Sequence, residues 1–190
     1  MRDIHFTLDK GQTLGLVGQT GSGKTALVKL LLREHDVNQG AIYLNSHDIR
    51  DYRLSDLRSL MGYVPQDQFL FASSILENVR FGNLDLAFEK VEVATKLAQV
   101  YDDIKAMPEG FETIIGEKGV SLSGGQKQRL AMSRAMILDP DIFILDDSLS
   151  AVDAKTEHAI IDNLKHTRKD KTTIITAHRL SAVVHADLIL

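Results

Sequence analysis

The string GQTGSGKT at residues 18–25 constrains this chain more than any other feature. It fits the pattern G-x-x-x-x-G-K-[ST], and its flanks fit as well: Thr13 to Val17 reads as a short apolar strand and Ala26 to Leu32 as a helix. Gly18, Gly21 and Gly23 let the backbone curl so that N–H groups point inward. With Thr20 and Ser22 they form an anion cradle, which the positive end of the following helix, opening through Ala26, reinforces. Lys24 is expected to reach the outer phosphates of a bound nucleotide and Thr25 to offer its hydroxyl to Mg²⁺.

Along the chain, Ile4, Phe6 and Leu8 alternate as on one face of a strand, with a turn at Lys10 and Gly11. Ala41 to Asn45 predicts a short strand, Leu54 to Ser59 a helical turn, and Met61 to Val64 a strand ended by Pro65. From about Ile75 to Leu138 the apolar period becomes helical, notably over Leu86 to Ala98 and Gln126 to Leu138. Asp141 to Asp146 predicts a buried strand, Thr156 to His166 an amphipathic helix, Thr172 to Thr176 a β-branched strand, and Ala186 to Leu190 the start of another. Strands alternating with helices imply a mainly parallel sheet, and the helical block reads as an inserted subdomain.

A length of 190 residues with 44% hydrophobic content suits one domain with a sizeable core. The net charge of −4 gives no basic footprint, so no nucleic acid is expected as partner. No run approaches 18 apolar residues, and the N-terminus MRDIHFTLDK has no apolar signal core. Zero cysteines excludes a disulfide framework and thiolate metal sites. The seven histidines show no ligand-like spacing.

Two further strings carry chemistry. IFILDD, residues 142–147, delivers carboxylates at the C-terminal edge of a strand, where an α/β sheet binds its ligand. Asp146 is the candidate to hold Mg²⁺ opposite Thr25, and Asp147 the candidate to orient or deprotonate an attacking water. LSGGQ, residues 122–126, would on its own be a helix cap with a flexible approach; Ser123 and the amides of Gly124 and Gly125 also make a second anion site.

With these strings in this order, the chain resembles the ATP-binding cassette family, the nucleotide-binding domains of ABC transporters, over nearly its whole length. Walker A is Gly18 to Thr25, the Q-loop glutamine is Gln66 in YVPQD, and the signature is Leu122 to Gln126. Walker B is Ile142 to Asp146, the D-loop is Ser150 to Asp153, and the switch histidine is His178 in TAHR. The resemblance implies a P-loop NTPase core over 1–66 and 139–190, a small antiparallel β part at the N-terminus, and a helical signature subdomain over about 67–138. It further implies ATP and Mg²⁺ as cofactors, with Thr25, Gln66 and Asp146 on the metal and Asp147, Gln66 and His178 acting in hydrolysis. Two such domains would face head to tail, with Ser123, Gly125 and Gln126 serving the ATP of the second domain and Asp153 at the seam. VPQDQFLFASSILENVRFG and IIGEKGVSLSGGQ, with an X-loop at Glu117, resemble the multidrug and lipid exporters, in which the Q-loop and X-loop regions touch the membrane part.

The family normally places glutamate where this chain has Asp147. Aspartate withdraws the carboxylate by roughly 1.5 Å, and a base must lie within about 3 Å of its water. The resemblance therefore extends to the slow half of an asymmetric exporter, with a different subunit as partner; a homodimer that tolerates aspartate and an ATP-held switch with little hydrolysis are the alternatives. The interval between Gln66 and Leu122 lacks the coiled coil of DNA-repair relatives, and importers lack the X-loop. The family's adenine-stacking aromatic and its C-terminal tail fall outside the sequence. The expectation is a part of a larger membrane protein at the cytoplasmic face of a bacterial plasma membrane, with weakened ATP affinity when alone.

Overall fold

The computed structural model describes residues 3–116 and 120–190. The chain forms two compact units: Met1–Tyr63, Pro140–Asp147 and Asp170–Leu190 make the first, and Val64–Asp139 with Ser148–Lys169 the second.

The first unit is built on parallel strands. β1 (Thr13–Val17) leads into helix α1 (Lys24–Leu31); β2 (Tyr43–Leu44) and β3 (His47–Asp48) form an antiparallel pair; α2 (Leu54–Ser59) precedes β4 (Met61–Val64); β5 (Ile142–Asp146), β6 (Thr172–Ala177) and β7 (Leu188–Ile189) complete the sheet. Strand order is β4-β5-β6-β1-β7. β6 pairs in parallel with β1, Thr13 opposite Thr173 through Val17 opposite Ala177, and with β5, Ile142 opposite Thr172 through Asp146 opposite Thr176. That register brings the C-terminal ends of β1, β5 and β6 to one edge, where ligands of such sheets bind.

The central strands are apolar because both faces are covered. α1 buries Leu27 and Val28 against Leu14, Leu16, Leu32, Ile144 and Ile174. The β2–β3 hairpin turns through Asn45 and Ser46, with φ of 49° and 65°, the paired positive values of a two-residue turn that matches strand twist. The architecture is a mainly parallel sheet with helices and a small antiparallel sheet, as the sequence predicts.

The expected strand at Ile4 to Leu8 does not form. Residues 3–8 have no regular structure, yet Phe6 and Leu8 pack against the core cluster. Period-two alternation reports burial of alternate side chains; a strand also requires a ladder partner, and among the described residues none pairs with this segment.

The second unit is helical: α3 (Ile75–Arg80), α4 (Phe88–Leu97), α5 (Tyr101–Lys105), α6 (Gly124–Met136) and α7 (Ala154–Thr167). α6 buries Leu130, Ala131, Met132 and Ala135 and packs against α3 and α4. Three starts are fixed by side chains. Ser74 with Glu77 and Ser123 with Gln126 form reciprocal capping boxes, and Asp153 accepts from Thr156 N at 3.0 Å to start α7. No helix among the described residues is long and apolar enough to cross a membrane.

Candidate functional site

In the first unit, the loop between β1 and α1 turns at Gly21 (φ 85°) and Gly23 (φ 103°), left-handed conformations that glycine adopts without penalty. Gly23 occupies the cap position of α1 with no side-chain hydrogen bond, and the first turn holds no acidic residue. The helix start thus offers amides and a positive dipole end without a competing anion. Gly18 packs tightly: a Cβ there would stand 2.8 Å from Ser22 Oγ. Thr20, Gly21, Ser22 and Ala26 are exposed on the loop and first turn.

Lys24 Nζ bends over the loop, donating to the Gly18 carbonyl at 2.6 Å and the Gln19 carbonyl at 3.2 Å. It also stands 3.4 Å from His178 Nδ1, which lies 3.1 Å from the Gly18 carbonyl. The ring's other nitrogen, Nε2, lies 3.3 Å from Asp147 Oδ2. Lys24, Asp147 and His178 therefore form one polar cluster at the edge where β1, β5 and β6 end.

Asp146 is 1% exposed and ends β5. Three hydroxyls converge on its carboxylate: Thr176 donates to Oδ1 at 2.7 Å, Thr25 to Oδ1 at 3.2 Å, and Tyr63 to Oδ2 at 3.3 Å. Burial, with the Asp146 charge beside it, holds the Tyr63 phenol well above its ordinary range, so it stays a donor. A hydroxyl and a carboxylate at this separation are hard oxygen donors of the kind that take Mg²⁺ together with phosphate oxygens, so the residues fit that ion. Among the described residues no larger cluster of histidine and carboxylates could hold a metal.

Asp147 adopts φ 49°, an uncommon conformation for a residue with a side chain. Its amide donates to the Thr176 carbonyl at 3.2 Å and to Thr176 Oγ1 at 2.9 Å, which pins the backbone to β6. Burial raises its carboxyl above the ordinary value, and the neighbouring His178 and Lys24 charges partly offset that rise.

The second unit carries a capped, glycine-lined helix start at Ser123. Ser123 Oγ accepts from Gln126 N at 3.2 Å, and Gln126 Oε1 accepts from Ser123 N at 3.0 Å. Because Ser123 Oγ serves as acceptor in this box, its proton is available to donate elsewhere. Ser123, Gly124, Gly125, Arg129, Ala151, Val152 and Asp153 line a cleft of about 370 Å³. Gly125 is required by close approach: a Cβ there would lie 2.8 Å from the Ala151 carbonyl oxygen. Gln128 ties the same segment down, accepting from Ala151 N at 3.0 Å and donating to Ser150 Oγ at 3.3 Å.

Gln66 belongs to this second unit, and Glu117 lies outside the described residues. Sequence reasoning missed Tyr63 and Thr176. Both act on Asp146 from neighbouring positions of the sheet, and only the strand register, which no local motif reports, puts them there.

The sequence profile described as "ABC transporter" matches residues 1–150. The chain is 52% identical, over all of its length and 32% of the relative's, to a probable multidrug resistance ABC transporter ATP-binding/permease protein, YheI of Bacillus subtilis (strain 168). It is 44% identical, over all of its length and 23% of the relative's, to human ATP-binding cassette sub-family B member 6. Its fold superposes with a TM-score of 0.91 on a bacterial Atm1-family ABC exporter solved with ATP bound, at 37% identity, covering 95% of this chain and 32% of that one. The chain thus spans about a third or less of the length of these proteins. A phosphate-type loop, a buried carboxylate beside Thr25 and a second glycine-lined cradle at a helix start, joined with these likenesses, show that the chain belongs to the ABC transporter family, as an ATPase of its ATP-binding-domain type.

Proposed function

We propose that this chain is the cytoplasmic ATP-binding domain of an exporter in a bacterial plasma membrane, and that it hydrolyses ATP slowly at its own Walker site. The carrying observation is the cluster of Lys24, Asp147 and His178 at one sheet edge, with an aspartate in the position from which a carboxylate would address water. The loop amides and Lys24 hold the β- and γ-phosphates. Thr25 and Asp146 would hold Mg²⁺, which would neutralise charge on the phosphates. His178 contacts the γ-phosphate, and Asp147 orients the water from a carboxylate one methylene short, where a misplacement near 1 Å costs about 10²-fold in rate.

Ser123, Gly125 and Gln126 cap the ATP of a second nucleotide-binding domain, carried by a different subunit, and Asp153 sits at the seam between the two. ATP-driven closure moves attached membrane segments through the Q-loop and X-loop regions. The test is substrate-stimulated ATP turnover and vesicle transport by the full-length protein with its partner. Transport abolished by Lys24→Ala supports the reading; ATP-dependent closure with no transport replaces it with a nucleotide switch.

A further inference from the structure

Asp103, on α5, belongs to none of the motifs above, yet its carboxylate is the hub of the signature helix. Oδ1 accepts from Gln126 Nε2 at 3.1 Å and Oδ2 from Arg129 Nη1 at 2.7 Å. Arg129 also donates to the Gly125 carbonyl at 3.3 Å and to the Gln99 carbonyl. We propose that Asp103 is the positioning residue of the second anion cradle, fixing Gln126 and Arg129 so that Ser123 and the Gly124 and Gly125 amides present their donors to a triphosphate. This rests on the reading that the cradle serves nucleotide.

A glutamine amide can face either way about its last torsion. With Nε2 held by a carboxylate, Oε1 must face the Ser123 amide, at 3.0 Å. That orientation closes the capping box, in which Ser123 Oγ is an acceptor and its proton is left to donate. A charge-assisted contact is stronger than a neutral one, so Asp103 sets the rotamer more firmly than water would. Its second effect is electrostatic. Arg129 lines the same cleft as Ser123 and Gly125, and its side chain is 14% exposed. The Asp103 bond pairs that cation with a carboxylate along the helix flank.

Aspartate here is a matter of reach as well as charge. α5 has only five residues, and its Asp103 carboxylate reaches Gln126 and Arg129 near the start of α6, while the Gln99 carbonyl, just before α5, also accepts from Arg129. Losing the carboxylate removes one partner from each of two long side chains, Gln126 and Arg129, and neither the α6 core residues nor the cap hydroxyl is touched by the change.

The experiment is the ATP dependence of turnover in the full-length protein with its partner, together with thermal melting, for Asp103→Ala and Asp103→Asn, with Ser123→Ala as reference. The inference predicts that Asp103→Ala raises the half-maximal ATP concentration about 10-fold while the melting temperature stays near wild type, and that Asp103→Asn, keeping the Gln126 contact, raises it about 3-fold. If Ser123→Ala impairs ATP use and both Asp103 variants keep wild-type ATP dependence, the positioning role is wrong and the signature reading survives. If Ser123→Ala itself has no effect, the cradle does not serve nucleotide and both fall. Should the alanine variant fail to fold, Asp103→Asn is read alone, and a wild-type half-maximal concentration overturns the inference.

Discussion

His178 Nε2 lies 3.3 Å from Asp147 Oδ2, joining the residue after β6 to the residue after β5. Register brings them near: Asp146 pairs with Thr176, so Asp147 leaves β5 level with Ala177, the last residue of β6, and His178 follows directly. The Asp147 amide is tied to Thr176 at 2.9 and 3.2 Å, so the backbone origin of this carboxylate is fixed and its reach is set by side-chain length.

Adjacent glycines of the signature should behave differently. A Cβ on Gly125 meets the Ala151 carbonyl oxygen at 2.8 Å, whereas one on Gly124 meets the Ala151 Cβ at an ordinary 3.5 Å. Gly125→Ala is expected to cost roughly 1–3 kcal/mol, and Gly124→Ala to be neutral or to stabilise by up to about 1 kcal/mol. Thermal melts of the two variants check the order.

Asp153 starts α7 by accepting from Thr156 N at 3.0 Å, a bond that also holds its carboxyl below the ordinary value. Asp153→Ala should lower stability, while Asp153→Ser should recover most of the loss. Denaturant titration with unchanged slope would report it.

Arg134 donates to the Asn78 carbonyl at 2.8 Å, to Asn78 Oδ1 at 2.7 Å and to the Phe69 carbonyl at 2.8 Å, and its guanidinium lies over the Phe71 and Phe81 rings. A lysine cannot reproduce that fork. Arg134→Lys is expected to cost about 2 kcal/mol, seen as a lowered melting temperature.

Arg50 holds the Asp48 carboxyl at about 2, below its ordinary 3.8, chiefly through side-chain hydrogen bonds of 2.6 to 3.1 Å. A depressed carboxyl contributes stability that is fully present above its unfolded value and lost as pH falls through the folded one. The melting-temperature gap between wild type and Asp48→Asn should therefore be complete at pH 6, shrink below about pH 4 and close near pH 2. A gap independent of pH would contradict this assignment.

The strand, loop and helix around Gly18 to Thr25 were legible because each has a local signature: an apolar run, glycines at positive φ and a helical period. So were the caps at Ser123 and the buried strand before Asp147. What the sequence hid was set at long range. Residues 4–8 alternate like a strand but find no ladder, and Tyr63, Thr176 and Asp103 acquire their partners only through sheet register or helix packing.

Steady-state ATP turnover of the full-length protein, alone and with its partner, tests the central claim most directly when wild type is compared with Asp147→Glu and Lys24→Ala is the blank. The account predicts a wild-type protein that is nearly inactive alone and a glutamate variant faster by about 10- to 100-fold. Brisk wild-type hydrolysis that glutamate barely changes would show that Asp147 is a competent base and would contradict the account.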